Sequence, residues 1–517
     1  MATILSLTTL SSKSRVLNSK MAQKVMSAEE AAALIKSGDQ IGMSGFTGSG
    51  YPKAVPIELA RRISDANYRG EKFQVSVFTG ASTGPELDGA LAMAGGIHLR
   101  LPYQSDPETR KRINAGEMEY MDIHLSHVAQ FVEYGFLGKM DVALIEVTAV
   151  LEDGRLVPSS SIGNNKTWID QAERVILEVN AWQPAELEGM HDVYYGLQPP
   201  PHRGPIPLMH PGQRIGTPYM DIAADKVVAV VLTNSPDRNS AFKAPDEASK
   251  RIAGHILEFL KWEVQKGRMP ENLLPLQSGV GNIANAVLFG LEEGQFEGLT
   301  SYTEVIQDGM IRLLKSGKLT CVSATAFSLS PDTLAEVNAH MADYRERIVL
   351  RSQEISNHPE IIRRLGVIAM NGMIEADIYG NVNSTHLMGS GIQNGIGGSG
   401  DFARNGYLSI FMAPSTARHG TISTIVPMVS HVDHTEHDVQ VIVTEHGLAD
   451  LRGLSPRQRA HLVIEKCSDP KYKPLLLDYI ERSDRMPYAK HTPHMLGEAL
   501  SWHSRYLRSG KMRPSEE

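Results

Sequence analysis

Short, unbroken apolar runs place the strongest limit on what this 517-residue chain can fold into. The runs VALIEVTAV (142–150), RVILEVN (174–180) and KVVAVVL (226–232) are too short to cross a membrane. They also lack the strict alternation of a strand with one wet face. Such runs are typical of parallel strands buried on both faces. Because helical stretches separate several of them, the sequence predicts an α/β fold.

A chain of this length is longer than a single hydrophobic core normally stabilises, so we expect two open α/β domains. The stretch 194–218, YYGLQPPPHRGPIPLMHPGQRIGTP, is dense in Pro and Gly and has no periodicity. We interpret it as a connector between an N-terminal domain (1–220) and a C-terminal domain (221–517). An active site is then expected in the crevice between the domains, at the carboxyl ends of strands.

Three local patterns predict particular elements. Ser27 and Glu30 form the spacing of a capping box at a helix start. Asp246 is placed to cap an amphipathic helix that Gly267 would stop. The segment 379–381, Tyr-Gly-Asn, lies between two apolar runs and predicts a hairpin turn.

Charge and composition exclude several classes of protein. The formal charge of −8 argues against a general nucleic-acid binder. No apolar run approaches the length of a transmembrane helix, so we expect no membrane span. Cys321 and Cys467 are the only cysteines, which leaves no disulfide framework and no cysteine-based zinc site. We expect both to be small core residues.

The N-terminus allows two interpretations. Residues 1–24 contain four basic residues and many Ser and Thr, with no acid before Glu29. This composition fits a mitochondrial presequence, and it fits a frayed bacterial N-terminus equally well. We expect a cytoplasmic protein, with the mitochondrion as the alternative.

Two glycine-rich segments have the character of anion sites. Gly279-Val280-Gly281-Asn282 follows a strand-like run and precedes a helix, where free N–H groups attract negative charge. The third glycine of a dinucleotide fingerprint is absent, which leaves a weak signal, and a tight strand–helix turn is the alternative interpretation. The segment NGIGGSGDF (394–402) is not followed by the lysine of a phosphate-binding P-loop.

Two further motifs carry candidate chemistry. Glu304 follows a β-like stretch and has small or apolar neighbours, although a surface glutamate would look the same. In HVDHTEHD (431–438), a metal site and a polar turn at a strand end are both conceivable. The β-like flanks favour the turn, because residues three apart on a strand point to opposite faces. The sequence contains neither G-x-S-x-G nor H-E-x-x-H, the signatures of common hydrolases and metalloproteases.

Taken together, eight segments resemble the acetyl-CoA hydrolase/transferase family of class I CoA-transferases. The resemblance extends from about residue 15 to near the C-terminus. The segments are GFTGSGYPKAVP (45–56), GASTGPELDG (80–89), QSGVGNIANAV (277–287), TEVIQDGM (303–310), IIRRLGVIAMNGMIEADIYGNVNST (361–385), NGIGGSGDF (394–402), STIVPMVSHVDHTEHD (423–438) and GLADLRGLSP (447–456).

The resemblance implies the roles of particular residues. It implies two α/β domains, a nucleophilic glutamate at Glu304 and an oxyanion hole from the backbone N–H groups of Val280 and Gly398. Polar residues around the glutamate and the carboxylate substrate correspond to Ser82, Asn357 and Glu445. The implied contacts of coenzyme A are Gly279, Val280, Gly281, Asn282, Ile283, Ile374, Asn394, Gly398, Arg418 and, at the nucleotide end, Arg238.

Within this family the sequence is most similar to the succinyl-CoA:acetate CoA-transferase type. That type implies transfer of CoA between succinyl-CoA and acetate, with coenzyme A as a substrate rather than a tightly bound cofactor, and no metal. We expect acyl-CoA and short carboxylates as partners and a homodimer as the assembly. Three alternatives stay open: an acetyl-CoA hydrolase with water as acceptor, a non-catalytic CoA-binding regulator and a dinucleotide oxidoreductase.

Overall fold

A computed structural model describes residues 15–239 and 244–514 of the chain. The contacts divide the chain into two compact units. The first consists of Met1–Ala241, Ser301–Ile311 and Thr320–Arg364, and the second of Phe242–Thr300, Arg312–Leu319 and Leu365–Glu517. Each unit combines parallel strands with helices, which confirms the predicted α/β class.

The strands are numbered in chain order. They are β1 (Gln40–Met43), β2 (Val75–Phe78), β3 (Ile97–Leu101), β4 (Glu119–Tyr120), β5 (Val142–Val150), β6 (Leu156–Pro158), β7 (Arg174–Asn180), β8 (His191–Asp192), β9 (Val227–Thr233), β10 (Leu276–Ser278), β11 (Leu299–Tyr302), β12 (Val305–Ile306), β13 (Leu319–Ala324), β14 (Ala326–Phe327), β15 (Ile348–Arg351), β16 (Ile368–Gly372), β17 (Glu375–Asp377), β18 (Val382–Asn383), β19 (His386–Leu387), β20 (Gly391–Ile392), β21 (Leu408–Met412), β22 (Thr416–Ala417), β23 (Ile422–Ser423), β24 (Ile425–Val426), β25 (Val441–Thr444) and β26 (Gly447–Asp450).

The helices are identified by their residues. The α-helices are Ser19–Ala22, Ala28–Ala33, Ala54–Tyr68, Ala90–Met93, Pro107–Asn114, Leu125–Glu133, Asn165–Gln171, Glu247–Gln265, Asn282–Glu293, Asp308–Lys315, Pro331–Ala339, Met341–Tyr344, Gln353–Ser356, Pro359–Leu365, Ser399–Asn405, Pro456–Cys467, Lys473–Asp484 and Ser501–Ser509. A π-helical turn covers Pro85–Gly89, and a 3-10 turn covers Ala185–Leu187.

The first unit is built on an eight-stranded sheet with the order β4-β3-β2-β1-β5-β7-β9, and β6 pairs with β5. Every neighbouring pair along that order is parallel, whereas β6 runs antiparallel to β5. Apart from Ala149, every residue of β5 is buried. This burial explains why the run VALIEVTAV contains so few polar residues.

Two smaller groups of strands complete the first unit. Strands β13, β15 and β8 are neighbours and run parallel. Strands β12 and β14 form a parallel pair, with Val305 opposite Ala326. Glu304 lies between β11 and β12, so the pairing of β12 with β14 sets its position.

The second unit contains four parallel strands, β10, β16, β21 and β25, with β26 antiparallel at the edge. The predicted hairpin is present as β17 and β18, which pair with Ala376 opposite Val382. Gly380 adopts φ +99° at its turn, a conformation that favours glycine. The Asp377 carboxylate accepts hydrogen bonds from the backbone N–H groups of residues 379–381, which fixes the turn.

The two units divide the chain differently from the predicted boundary at residue 220. The Pro- and Gly-rich stretch 194–218 lies within the first unit, between β8 and β9. Irregular backbone cannot satisfy its own carbonyls, and here two arginines do so, Arg351, which is buried, and Arg364, which is half-buried. Arg351 Nη2 lies 3.0 Å from Pro211 O, and Arg364 Nη1 lies 3.1 Å from Leu208 O. The segment that carries Glu304 also belongs to the first unit.

The local patterns are confirmed. Ser27 and Glu30 form both bonds of a capping box, and Asp246 accepts from the Ser249 N–H at 2.8 Å. Cys321 and Cys467 are both free and buried. No helix in the described ranges is long and apolar enough to cross a membrane. Residues 1–14, on which the presequence interpretation depends, lie outside the described residues.

Replacing Arg351 with Met tests the anchoring of the irregular stretch. Arg351 is buried and bonds the carboxylate of Asp192, which is only 1% exposed. The change leaves a buried carboxylate without its cation, so we expect the free energy of unfolding to fall by about 3–5 kcal/mol. Urea denaturation measures it.

Arg69→Met is the matched control, because the Arg69–Glu71 pair is exposed. Its free energy of unfolding should stay close to that of wild type, because exposed ion pairs contribute little. Equal losses in the two variants would contradict a role for Arg351 as an internal anchor.

Candidate active site

Backbone hydrogen bonds made by Glu304 and its neighbours hold this residue in place in the first unit. The Thr303 N–H donates to Ser323 O at 2.9 Å, and the Thr325 N–H donates to Glu304 O at 2.8 Å. These bonds continue the pairing of β12 with β14 on both sides of the glutamate. Thr303 and Val305 are buried, whereas Glu304 itself is half-buried. The strand end therefore fixes the main chain while the carboxylate stays accessible.

Asn357 makes the side-chain contact that orients this carboxylate. It lies at the C-terminal end of helix Gln353–Ser356 and is fully buried. Its Nδ2 donates to Glu304 Oε1 at 2.9 Å. A bond of this kind to a carboxylate restricts its rotation. The sequence singled out both residues, and the structure brings them together.

Sequence reasoning did not identify the residues that hold Asn357 in place. The Gln353 N–H donates to Gly163 O at 2.8 Å, and Gln353 Nε2 donates to Leu125 O at 3.1 Å. The Gly163 N–H in turn donates to Thr325 Oγ1 at 3.0 Å, beside the Glu304 strand end. The four-residue spacing of Gln353 and Asn357 is a signal that could have been used, because it places them on one face of a helical turn.

An apolar cluster lies next to Glu304. It is formed by buried residues from separate strand ends and one helix start, Phe46, Ala81, Leu125, Val305 and Ala326, with Tyr103 packed against them. Val305 directly follows Glu304, so the cluster begins at the neighbouring residue.

Ser82 lies on a turn that a buried ion pair supports. Arg100 Nε lies 2.8 Å from Asp88 Oδ1, and both side chains are fully buried. Asp88 Oδ2 accepts from the Thr83 N–H at 2.7 Å and lies 3.4 Å from Ser82 Oγ. The turn shares the apolar cluster with Glu304 through Ala81. Ser82 therefore belongs to the same region of the first unit as Glu304.

Arg238, also in the first unit, is exposed on its side chain but fixed at its backbone. The Arg238 N–H donates to Gly48 O at 2.8 Å. Its Nε donates to Glu86 Oε1 at 3.0 Å. With 56% of its side chain exposed, it presents positive charge to solvent.

In the second unit, the implied CoA loop begins at the carboxyl end of β10. The Gly279 N–H donates to Met370 O at 2.9 Å, which anchors the loop on β16. Gly281 adopts φ +141°, and helix Asn282–Glu293 begins directly after it. Ile283 lies in the first turn of that helix. Val280 between them is 56% exposed.

The segment 394–402 ends in a short helix, Ser399–Asn405, with Gly398 as its N-terminal residue. This helix packs against β16 and β21 and runs into β21, so its start lies at the carboxyl edge of the parallel strands. Within residues 15–239 and 244–514, neither the Gly398 N–H nor the Val280 N–H donates a hydrogen bond. Asn394 precedes this turn and is half-buried. The two implied oxyanion donors thus belong to one edge of one sheet.

Other implied residues lie at the ends of strands in the second unit. Ile374 follows β16 and is half-buried, and exposed Arg418 lies in the β22–β23 turn with φ +50°. Glu445 follows β25, and its two oxygens accept from the Ser415 N–H at 2.7 Å and Ser415 Oγ at 2.6 Å. Ser415, which sequence reasoning missed, follows β21, the parallel neighbour of β25.

The histidine-rich motif forms a hydrogen-bonded turn. His434 is buried, and its Nε2 lies 3.1 Å from Ser399 Oγ and 3.2 Å from Ser384 Oγ. His431 Nε2 lies 3.3 Å from Asp433 Oδ1. Among the residues that the structure describes, no group of three or more His, Cys, Asp or Glu side chains is arranged to hold a metal ion. Through Ser399, His434 supports the first turn of the helix that Gly398 begins.

Comparison with known proteins identifies the family. A model of the acetyl-CoA hydrolase/transferase N-terminal domain matches residues 10–232, and a model of the C-terminal domain matches residues 336–480. Together the matches cover more than half of the chain. The chain belongs to the acetyl-CoA hydrolase/transferase family.

Relatives within the family carry two kinds of name. The chain is 51% identical to the succinyl-CoA:acetate CoA-transferase of Clostridium kluyveri, over 96% of this chain and 92% of the relative. It is 45% identical to the propanoyl-CoA:succinate CoA transferase of Escherichia coli, over 94% and 98%. It is 44% identical to the acetyl-CoA hydrolase of Candida glabrata, over 97% of each.

Solved structures agree on the fold. RipA from Yersinia pestis matches with a TM-score of 0.69 and 22% identity, over 90% of this chain and 98% of that one. A 4-hydroxybutyrate CoA-transferase from Porphyromonas gingivalis matches with a TM-score of 0.60 and 22% identity, over 89% and 98%. At this level of identity the comparison supports the fold alone.

A buried acid next to Asn357 makes stability depend on pH. Burial, and next the charge of Glu133, raise the pKa of Glu354 to about 7 from its ordinary 4.5. Lys166, Arg203 and Asp170 also act on it. Between these two pKa values the folded state keeps a proton that the unfolded chain has lost. Stability is therefore fully present at the acidic end of that window and is lost as pH rises through about 7.

Glu354→Gln removes this proton and should make the protein less sensitive to pH. The stability of the variant relative to wild type should rise by about 1–3 kcal/mol between about pH 5 and pH 8, as denaturant titrations would show. Exposed Glu119→Gln is the control and should follow wild type. A variant that loses relative stability as pH rises would contradict the raised pKa.

Proposed function

We propose that this enzyme moves CoA between succinyl-CoA and acetate through a covalent glutamyl-CoA thioester on Glu304. The observation that carries the proposal is the 2.9 Å hydrogen bond from Asn357 Nδ2 to Glu304 Oε1, at a strand end fixed on both sides. An oriented carboxylate on a half-buried residue suits nucleophilic catalysis better than a purely structural role.

The first half-reaction has two steps. A Glu304 oxygen attacks the thioester carbonyl of the acyl-CoA and expels CoA as the thiolate, which leaves a mixed anhydride. The thiolate then attacks the Glu304 carbonyl, releases the first carboxylate and leaves the glutamyl-CoA thioester. Holding the reactants side by side can lower the barrier by roughly 7–11 kcal/mol relative to a bimolecular reaction.

The second half-reaction is the reverse with a different carboxylate. Acetate attacks the glutamyl thioester, the thiolate returns to the new acyl group, and Glu304 is regenerated as a carboxylate. Each addition forms an oxyanion, which the N–H groups of Val280 and Gly398 would receive. A donor of this kind is typically worth about 2.7–4 kcal/mol. Backbone N–H groups in a glycine-rich turn suit a transient oxyanion, which explains a loop without a lysine.

Other residues would hold the substrates. Glu445, fixed by Ser415, and Ser82 are polar groups for the carboxylate partner. The 279–283 turn, Ile374, Asn394 and Arg418 would contact CoA in the second unit, and Arg238 would meet its nucleotide end. No metal or resident cofactor takes part, because CoA itself supplies the reacting sulfur. We also propose that the enzyme acts in the cytoplasm as a homodimer.

The name of the Candida glabrata relative supports a second candidate, an acetyl-CoA hydrolase. Water would then take the place of acetate at the glutamyl thioester or the anhydride. Conserving the thioester requires that water be kept away from it, so the two candidates differ in the acceptor that the intermediate meets.

The two candidates differ in acceptor dependence. We expect acetyl-CoA to form from succinyl-CoA only when acetate is present, and free CoA to form at least about 100-fold more slowly than acetyl-CoA, with or without acetate. Monitoring acyl-CoA species by chromatography, and free thiol by absorbance, measures both outcomes. Free CoA formed without acetate as fast as acetyl-CoA forms with it would favour the hydrolase.

Two variants complete this assay. Glu304→Ala should lower both activities by at least ~10³-fold, because each runs through the same carboxylate. Exposed Glu152→Ala should match wild type. Tight binding of CoA without turnover of any acyl-CoA would instead favour a regulator.

A further inference from the structure

The two residues that flank Arg238 make several hydrogen bonds, although the arginine side chain itself is exposed. Asp237 before it accepts from the Gly50 N–H at 3.2 Å and from Lys53 Nζ at 3.1 Å. Asn239 after it accepts from the Gly48 N–H at 3.0 Å and donates to Ser49 Oγ at 2.7 Å. The residues on both sides of Arg238 are thus attached to the 48–50 turn through their side chains.

Close packing at Gly48 enforces this attachment. A Cβ atom added to Gly48 would lie 2.3 Å from Arg238 O, so no larger residue fits without moving the segment. The segment containing Arg238 therefore has one position against this turn. Its side chain, by contrast, reaches solvent.

Glu86 fixes the direction of the side chain. Its Oε1 accepts from Arg238 Nε at 3.0 Å, and its Oε2 accepts from the Tyr51 hydroxyl at 2.6 Å. Tyr51 is fully buried, and the Glu86 side chain is only 18% exposed. The Tyr51 hydroxyl engages the oxygen that the arginine does not use, so it orients Glu86 independently of Arg238.

The Tyr51 hydroxyl keeps its proton and so remains a hydrogen-bond donor to Glu86. Burial, and next the hydrogen bond to Glu86, raise the pKa of Tyr51 well above its ordinary value. The ring packs under Lys53 Nζ at 4.2 Å from its centroid. Gly84 leaves the room that the hydroxyl needs, since an added Cβ would lie 2.1 Å from it.

The guanidinium uses one of its donors in this arrangement. Among the residues that the structure describes, Arg238 makes no side-chain hydrogen bond except that from Nε to Glu86. A guanidinium carries five N–H groups, and the four on Nη1 and Nη2 suit bidentate binding of a phosphate. Because Glu86 binds only Nε, the Nη1 and Nη2 donors stay available for a ligand. The same hydrogen bond sets the plane of the guanidinium.

We propose that Glu86 is a positioning residue, which with Tyr51 orients Arg238 to bind a phosphate at the nucleotide end of the acyl-CoA substrate. This inference rests on the proposed function, because it assumes that an acyl-CoA is turned over. It adds to that function a recognition element, Tyr51–Glu86–Arg238, whose first two members do not touch the substrate.

Glu86→Gln tests the proposal with little change in shape. We expect the KM for acyl-CoA to rise about three- to tenfold, with kcat and the KM for acetate within about twofold of wild type. With acyl-pantetheine, which lacks the nucleotide, variant and wild type should have the same KM. A general structural defect would instead affect kcat and both forms of the substrate.

Arg238→Ala and the double variant decide whether Glu86 acts through Arg238. The KM of the double variant should equal that of Arg238→Ala alone, because a positioning residue has no effect once its target is absent. Asp153→Asn, in the exposed Arg155–Asp153 pair, is the control and should match wild type.

Three results would overturn the inference. They are an unchanged KM in Glu86→Gln, a lowered KM, which would make Glu86 a competitor of the substrate, and additive effects in the double variant. Each of these presupposes normal transfer by the wild-type enzyme. Absence of acyl-CoA turnover in wild type would instead contradict the proposed function itself.

Discussion

The hydrogen bond between Asn357 and Glu304 depends on a series of backbone contacts in the first unit. Gln353 places the helical turn that ends at Asn357, Gly163 receives the Gln353 N–H, and the Gly163 N–H donates to Thr325. The Thr325 N–H returns to the carbonyl of Glu304 itself. This series of contacts begins and ends at Glu304, so its carboxylate is oriented by secondary structure rather than by a flexible loop. Groups positioned in this way react without first being ordered.

The sequence predicts much of the fold because its signals are local. The apolar runs correspond to the parallel strands of the first sheet, and Ser27, Asp246 and Gly380 take the positions that their chemistry requires. The division into units was not predictable in the same way. It depends on pairing between residues far apart in the chain, such as Val305 with Ala326 and Gln353 with Gly163. A Pro- and Gly-rich composition marks irregular backbone, but it does not reveal that Arg351 and Arg364 bind that backbone.

The same distinction applies to the candidate site. Motifs singled out Glu304 and the glycine turns, and the family resemblance added Asn357 and Glu445. The residues that hold these side chains, Thr325, Gln353 and Ser415, are ordinary polar residues whose importance appears only in contacts. Glu86 is a similar case, since nothing in GASTGPELDG distinguishes its glutamate before the structure pairs it with Tyr51 and Arg238. The identity of the acyl acceptor depends on small differences in carboxylate size and hydration, which neither motifs nor backbone geometry encode.

The most direct test of the account is to trap the covalent state of Glu304. The enzyme is incubated with acyl-CoA in the absence of acceptor and treated with borohydride, which reduces a thioester to an alcohol, and the peptides are then analysed by mass spectrometry. The account predicts reduction at Glu304, dependent on acyl-CoA, in wild type and in Asp153→Asn. An unmodified Glu304 in an enzyme that transfers CoA at full rate, or modification of a different residue, would contradict it.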